Sequence, residues 1–292
     1  MTLKLKPLHP QFVAEASGVD LRKPLGAATV RAIEEAMDRY AVLVFHDQPL
    51  SQDEQVAFAR SFGPLNAGLR KATGASTRFK YEELIDISNV APDGQVVARD
   101  DAKLVGTIAN QLWHSDSSFQ QAPITYSMLA AVVVTAEGGE TEFADLRAAY
   151  DALPKKMKRE IEGLVARHSA FHSRFLLGDD KYTREQLEKF PAGEWPLVRT
   201  HPGSKRKVLF VGAHCTQILD MTVAEGRMLL ADLLENATQR EFVHRHGWRA
   251  GDLVMWDNRC TLHRGRRYDL SQRRDLRRTT SEERAAHAPA AR

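Results

Sequence analysis

The sequence predicts a mainly β fold with flanking helices, a jelly roll or barrel, on three observations. The C-terminal third reads as short strands joined by turns, at Val208 to Val211, Glu241 to Trp248, Asp252 to Trp256 and Leu276 to Thr280. The middle holds a long apolar run, Ile124 to Val134, followed by Gly138-Gly139 as a turn and a second strand at Glu140 to Phe143. No internal repeat or low-complexity block breaks the pattern. Helices do interrupt the strands, so periodicity alone leaves a mixed α+β arrangement open.

From the N-terminus, Val30, Ile33 and Met37 have helical spacing within Ala27 to Tyr40, and Ala41 to Phe45 is an apolar run suited to a buried strand. Ser51-Gln52-Asp53-Glu54 has the Ser-x-x-Glu pattern in which side chains cap the first helical turn, and Gly63-Pro64 stops the helix that follows. Leu65 to Gly106 is rich in Gly, Ala, Thr and charge, so mostly loop is expected, with one strand at Leu84 to Val90; long loops beside a site are often lids. Helices are expected at Leu146 to Leu153 and Lys155 to Leu164, with Pro154 in the first turn of the second. A further helix, Thr222 to Ala237, starts with Thr222 as N-cap and Glu225 at the capping-box position, and Arg249-Ala250-Gly251 reads as a turn. Ser281 to Arg292 is Ala-rich and charged without apolar periodicity, so residues 1–280 are expected to form one domain and 281–292 a disordered tail.

A chain of 292 residues with ordinary apolar and charged fractions can bury a full core. Its formal net charge of +3 is too small to argue for a nucleic-acid or membrane surface. Lys4 and Lys6 interrupt any apolar leader, and Cys215 and Cys260 lack the paired spacing of a zinc ribbon or disulfide framework. A soluble, cytoplasmic protein is expected.

Trp113-His114-Ser115-Asp116, followed far downstream by Trp256-Asp257-Asn258-Arg259 and His263, supplies two imidazoles and a carboxylate. In an extended segment His114 and Asp116 point to one side and Ser115 to the other, so one element aims two ligands, and His263 is placed to arrive from another strand. Two histidines and one carboxylate form the facial set that leaves positions of an octahedral iron open to a chelating cosubstrate and dioxygen. Zinc hydrolysis uses the same ligand types. His244-Arg245-His246 has the same spacing but no carboxylate, and His168, His172, His201 and His214 form no such unit.

Arg264, Arg266, Arg267, Arg273, Arg274, Arg277 and Arg278 cluster after His263. Strand alternation puts Arg274, Leu276 and Arg278 on one face and Arg273, Asp275 and Arg277 on the other. At roughly 3.3 Å per residue the α-carbons of Arg274 and Arg278 lie about 13 Å apart, enough to hold two different anions. A planar guanidinium binds carboxylate through two parallel hydrogen bonds. Few aromatics interleave with these arginines, which weighs against single-stranded nucleic acid.

Through Trp-His-x-Asp, Trp-Asp-Asn-Arg, the later histidine and the ending Arg274-x-x-x-Arg278-x-Thr280, the chain resembles the taurine dioxygenase family of iron(II)- and 2-oxoglutarate-dependent oxygenases, over roughly residues 7–280. The resemblance implies a double-stranded β-helix, a jelly roll with flanking helices. It implies Fe(II) on His114, Asp116 and His263, and 2-oxoglutarate and O2 as cosubstrates. Arg274 would bind the distal 2-oxoglutarate carboxylate with help from Thr141, and Trp256 would pack beside the cosubstrate. Arg278 would take the carboxylate of a small anionic substrate, with Asn110, Ser117 and Lys71 on the substrate side. Phe171, Phe210 and the loop near Leu69 are expected walls of an apolar slot. The expected reaction hydroxylates the carbon beside the ether oxygen of an aryloxyacetate, giving a phenol and glyoxylate with succinate and CO2; aryloxypropanoates and alkylsulfonates are alternatives. A zinc hydrolase and a non-catalytic jelly-roll binding protein are the rival classes. Homo-oligomers are common in the family; no nucleic-acid or membrane partner is expected.

Overall fold

The computed structural model describes residues 2–68, 77–121, 124–179 and 181–283. Six strands come first: β1 (Lys4–Pro7), β2 (Ala14–Ser17), β3 (Val42–Phe45), β4 (Ile85–Ser88), β5 (Ile124–Val133) and β6 (Thr141–Asp145). Five short ones follow: β7 (Val165–His168), β8 (Gly193–Pro196), β9 (Val198–Thr200), β10 (Lys207–Leu209) and β11 (Cys215–Ile218). The last four are β12 (Val243–His246), β13 (Leu253–Asp257), β14 (Thr261–Gly265) and β15 (Asp275–Glu282). A seven-stranded sheet runs β1-β2-β3-β13-β5-β15-β4, and a smaller sheet runs β12-β6-β14.

Phe143 of the smaller sheet is buried with Val42, Val44, Leu129, Val254, Trp256 and Leu276 of the larger one, so the two sheets share a core. The alternate residues Leu43, Phe45, Met128, Ala130, Leu253 and Met255 face the other way. Helices Ala27–Tyr40 and Gln52–Arg60 cover them with Ile33, Met37, Phe58 and Ala59. Burial on both faces explains why β3, β5 and β13 read as continuous apolar runs rather than alternating ones. Ser51 caps the second helix with the reciprocal Glu54 bond that its sequence predicts, and Thr222 does the same with Glu225 for Val223–Ala237.

Several expectations are revised. Helix Ala102–Ile108, capped by Asp101, lies where the composition predicts loop. Pro154 occupies the N-cap of Lys155–Ile161 rather than its first turn. The strand expected at Glu241 begins as a 3-10 turn, Arg240–Phe242, and is extended only over Val243–His246. β1, β2, β7, β8, β9, β11 and β14 are three to five residues long, too short for a period-two signal. β15 continues to Glu282, and Ser281 is fully buried, its hydroxyl accepting the Tyr126 N–H at 3.3 Å. Ser281 and Glu282 therefore belong to the sheet rather than to the tail expected from Ser281, because pairing with β5 satisfies these polar residues. Residues 284–292 lie outside the described residues, as do Lys71 and Leu69. Among the described residues no helix is long and apolar enough to cross a membrane.

Candidate active site

His114 and His263 form an antiparallel bridge, His114 N–H donating to the His263 carbonyl at 3.1 Å and His263 N–H to the His114 carbonyl at 2.8 Å. This exchange sets their rings side by side, with centroids 4.2 Å apart. Asp116, two residues beyond His114, lies 3.9 Å from His114 Nε2 through Oδ1 and 3.8 Å from His263 Nε2 through Oδ2. One donor atom from each residue falls within 4.8 Å of the others. Ser115 turns away, its hydroxyl donating to the Asn258 carbonyl at 2.6 Å, so the expected alternation is what aims the pair.

The donor chemistry fits a divalent metal. His114 Nδ1 donates to the Leu112 carbonyl at 2.8 Å, which leaves the Nε2 lone pair facing Asp116. Burial holds both imidazoles below their usual pKa, His263 strongly, so they are neutral ligands at neutral pH. Burial would raise the Asp116 carboxyl, but the Arg278 guanidinium beside it, helped by the Ser127 hydroxyl, outweighs burial and brings it to about 2. His263 Nδ1 is buried and has no hydrogen-bond partner among the described residues, a polar atom the protein alone leaves unsatisfied.

A second group, His201, Asp257 and Cys260, is equally close-set but already satisfied. His201 Nδ1 accepts the Ser204 N–H at 3.0 Å and Nε2 donates to Asp257 at 3.0 Å. Asp257 also pairs with Arg259 at 2.6 Å, and burial pushes the Cys260 thiol well up, so no donor is spare.

His114, His263, Trp256, Thr141, Arg274, Arg278 and Asn110 all line one cavity of about 830 Å³. Arg278 of β15 and Arg274, one residue before that strand, both reach it, while Arg277 turns to the opposite side and donates to Gln55 Oε1 at 2.9 Å. These arginines are not a solvated stripe: Arg274 is 8% and Arg277 9% exposed. Arg274 donates to the Gly139 carbonyl at 3.0 Å and lies 5.3 Å from the Tyr268 ring, and no carboxylate pairs with it among the described residues. Burial lowers its pKa, so the cavity holds a desolvated cation that an anion would stabilise. Gly139, at φ +72, lets this side chain pass: a Cβ there would lie 3.0 Å from Arg274 Nε.

Arg278 departs from its expected freedom. Nη1 sits 2.5 Å from Asp116 Oδ1, tying the cavity cation to a candidate ligand, while its buried Nε has no partner among the described residues. The guanidinium's five donors allow both roles.

The apolar walls differ from those expected. Ile87, Val96, Val97, Leu104, Ile108 and Leu129 line the cavity. Phe171 instead packs with Phe119, Ala170, Tyr182 and Phe190 in a separate cluster, and Phe210 stacks on His168 at 5.2 Å. Ser117, at φ 51, and Phe210 line a separate crevice of about 20 Å³. Residue type points to Phe171 and Phe210 as walls, whereas the fold packs both elsewhere and lines the cavity with these aliphatic residues beside Trp256 and Tyr268.

Two residues the sequence reading did not assign organise the site. Asn258 Oδ1 accepts the Trp256 indole N–H at 3.0 Å and the Asp116 N–H at 3.1 Å, and its amide donates to Ser127 Oγ at 3.0 Å. Ser127 then donates to Asp116 Oδ2 at 2.7 Å. Asn258 stood in the quoted Trp-Asp-Asn-Arg motif and carried a signal; Ser127, inside an apolar strand, carried none.

Over residues 4–280 the sequence matches the family described as taurine catabolism dioxygenase TauD, TfdA family. The chain belongs to that family. It is a 2-oxoglutarate-dependent dioxygenase, with Fe(II), 2-oxoglutarate and O2 as the family's requirements and the jelly-roll fold its neighbours share. It is 61% identical to an alpha-ketoglutarate-dependent 2,4-dichlorophenoxyacetate dioxygenase of Cupriavidus pinatubonensis, covering 96% of this chain and 98% of the relative. It is 38% identical to an (S)-phenoxypropionate/alpha-ketoglutarate-dioxygenase of Sphingobium herbicidovorans, covering 92% and 91%. Among solved structures, AAD-2 in complex with Mn(II) and N-oxalylglycine superposes with a TM-score of 0.92 at 49% identity, covering 97% of this chain and 98% of that one. Family membership separates the chain from the hydrolase and non-catalytic classes that shared its ligand types.

Proposed function

We propose that this dioxygenase hydroxylates the methylene of an aryloxyacetate such as 2,4-dichlorophenoxyacetate, with iron on His114, Asp116 and His263. The observation that carries the reading is one cavity lined by His114, His263, Arg274 and Arg278, with the Asp116 carboxylate within 4.8 Å of both imidazoles and bonded to Arg278. The identity to the Cupriavidus relative supports the substrate class. N-Oxalylglycine differs from 2-oxoglutarate by an NH in place of one methylene, so the bound state of AAD-2 supports a dicarboxylate at Arg274.

When bound, iron with 2-oxoglutarate and dioxygen supplies the oxidation, releasing succinate and CO2 and delivering one oxygen atom to the substrate. The protein's residues do the positioning. Arg274 and the Thr141 hydroxyl hold the distal carboxylate of 2-oxoglutarate, while Trp256 closes the cavity floor. Arg278 holds the substrate carboxylate through donors that Asp116 does not use, and Asn110 lies on the substrate side. Ile87, Leu104, Ile108 and Leu129 exclude water from the aryl ring, leaving the methylene between ether oxygen and carboxylate nearest the metal. Its hydroxylation gives a hemiacetal, which collapses to a phenol and glyoxylate. Strands from Lys4 to Glu282 share the larger sheet, which supports reading residues 1–280 as one domain.

The test is phenol release from aryloxyacetates, both enantiomers of 2-aryloxypropanoates, and succinate release with taurine, each with Fe(II), 2-oxoglutarate and oxygen. Aryloxyacetate should show the highest kcat/KM; a clear preference for taurine would overturn the substrate assignment.

A further inference from the structure

Thr141 is 4% exposed and lines the cavity, and its hydroxyl oxygen accepts the Trp248 indole N–H at 3.0 Å. An indole N–H only donates, so one lone pair of Thr141 is occupied and the threonine proton must point elsewhere. Among the described residues that hydroxyl has no acceptor, while the cation of Arg274 lines the same cavity without a carboxylate of its own.

We propose that Trp248 is a positioning residue for the cosubstrate: by donating to Thr141 Oγ1 it turns the threonine O–H into a donor aimed at the carboxylate that Arg274 binds. This rests on the proposed placement of 2-oxoglutarate at Arg274 and Thr141. The fold holds Trp248 for this task. β12 pairs with β6 so that His246 stands opposite Thr141, and the Trp248 ring packs edge-on against His246 with centroids 4.6 Å apart. His246 Nε2 lies 3.2 Å from Asp252, a carboxylate that accepts the Arg249 N–H at 2.9 Å and bonds His46 at 2.7 Å, although the His246 contact lacks hydrogen-bond geometry. The indole is thus anchored from outside the cavity, and a hydroxyl free to rotate becomes a group with one orientation. Preorganised donors bind an anion without the cost of ordering them at each encounter.

The experiment titrates 2-oxoglutarate into the Mn(II)-loaded full-length enzyme without oxygen, and measures steady-state KM values in parallel. Trp248→Phe should raise the 2-oxoglutarate Kd about three- to tenfold, the range expected for one buried hydrogen bond. The aryloxyacetate KM and kcat at saturating 2-oxoglutarate should stay within about twofold, because neither depends on this bond. Replacing Trp248 by 3-benzothienylalanine, which keeps the ring and loses only the donor, should do the same and guards against a folding defect. In a Thr141→Val background Trp248→Phe should have no further effect; an equal, additive loss there would show that Trp248 does not act through Thr141. An unchanged Kd in both Trp248 variants overturns the inference. Arg274→Gln in the same titration tests the underlying reading: if it keeps full affinity, 2-oxoglutarate does not bind here. If Arg274→Gln loses binding while the Trp248 variants keep it, only the role of Trp248 falls.

Discussion

Arg278 carries the sharpest question at the residue scale, because it touches Asp116 while lining the substrate cavity. A cation in that place has two effects: it keeps the carboxylate ionised against its burial, and it offers the remaining donors to an anion in the cavity. Replacing Arg278 with Gln should raise the aryloxyacetate KM more than about tenfold and leave the 2-oxoglutarate KM within about twofold, as expected when one charge-assisted bidentate pair is lost. Measuring both KM values decides it, since equal effects on the two would contradict the division of labour between Arg274 and Arg278. That Arg274 and Arg278 share a face was legible in the sequence because strand alternation is local, and the proposed division between them comes from the family resemblance. The bond to Asp116 was not, since residues 116 and 278 meet only through the packing of β15 on β5 and the bonds around Ser127 and Asn258.

Among the elements, helix Ala102–Ile108 brings Leu104 and Ile108 to the cavity wall. Its anchor is ionic. Lys103 Nζ lies 2.8 Å from Asp86 Oδ2 and 3.1 Å from Ser88 Oγ on β4, and it also donates to the Val90 carbonyl. Arg78 joins Asp86 at 2.9 Å and bonds Asp275 of β15, so helix, β4 and β15 form one unit. Lys103→Met should loosen that wall and raise the aryloxyacetate KM about three- to tenfold, with 2-oxoglutarate binding unchanged and Lys103→Arg restoring much of the loss. Kinetics that show no change in substrate KM would remove this helix from the specificity surface. Composition predicted loop here because Gly, Thr and charge dominate the stretch, and the helix owes its place to this tertiary ion network rather than to an amphipathic stripe.

For the whole molecule, buried histidines make stability depend on pH. Burial holds His114, His214 and His263 below the ordinary 6.5, and it brings His168 to about 3. Each is neutral when folded and takes up a proton near pH 6.5 once unfolded, so the unfolded state binds more protons and stability falls as pH drops through 6.5. Asp116, ionised down to about 2, adds a loss in the same direction only below about 4. Between pH 7.5 and 5.5 a histidine that stays neutral in the folded protein, as His168 does, should cost about 1.4 kcal/mol, a sizeable part of a typical domain's stability. Denaturant midpoints of the metal-free protein across that interval should fall steadily; a flat profile would contradict the burial of these rings.

The sequence by itself determined the chemistry: the ligand types at His114, Asp116 and His263, the paired arginines at Arg274 and Arg278, and the capped helices at Gln52–Arg60 and Val223–Ala237. These follow from residue type and short-range periodicity, which a single chain displays directly. Only the folded chain shows that His263 pairs with His114, that Ser127 and Asn258 support Asp116, that Phe171 and Phe210 lie outside the cavity, and that Trp248 reaches Thr141. Those facts depend on which strands pair and in what register, and register between segments far apart in the chain leaves no local periodic trace.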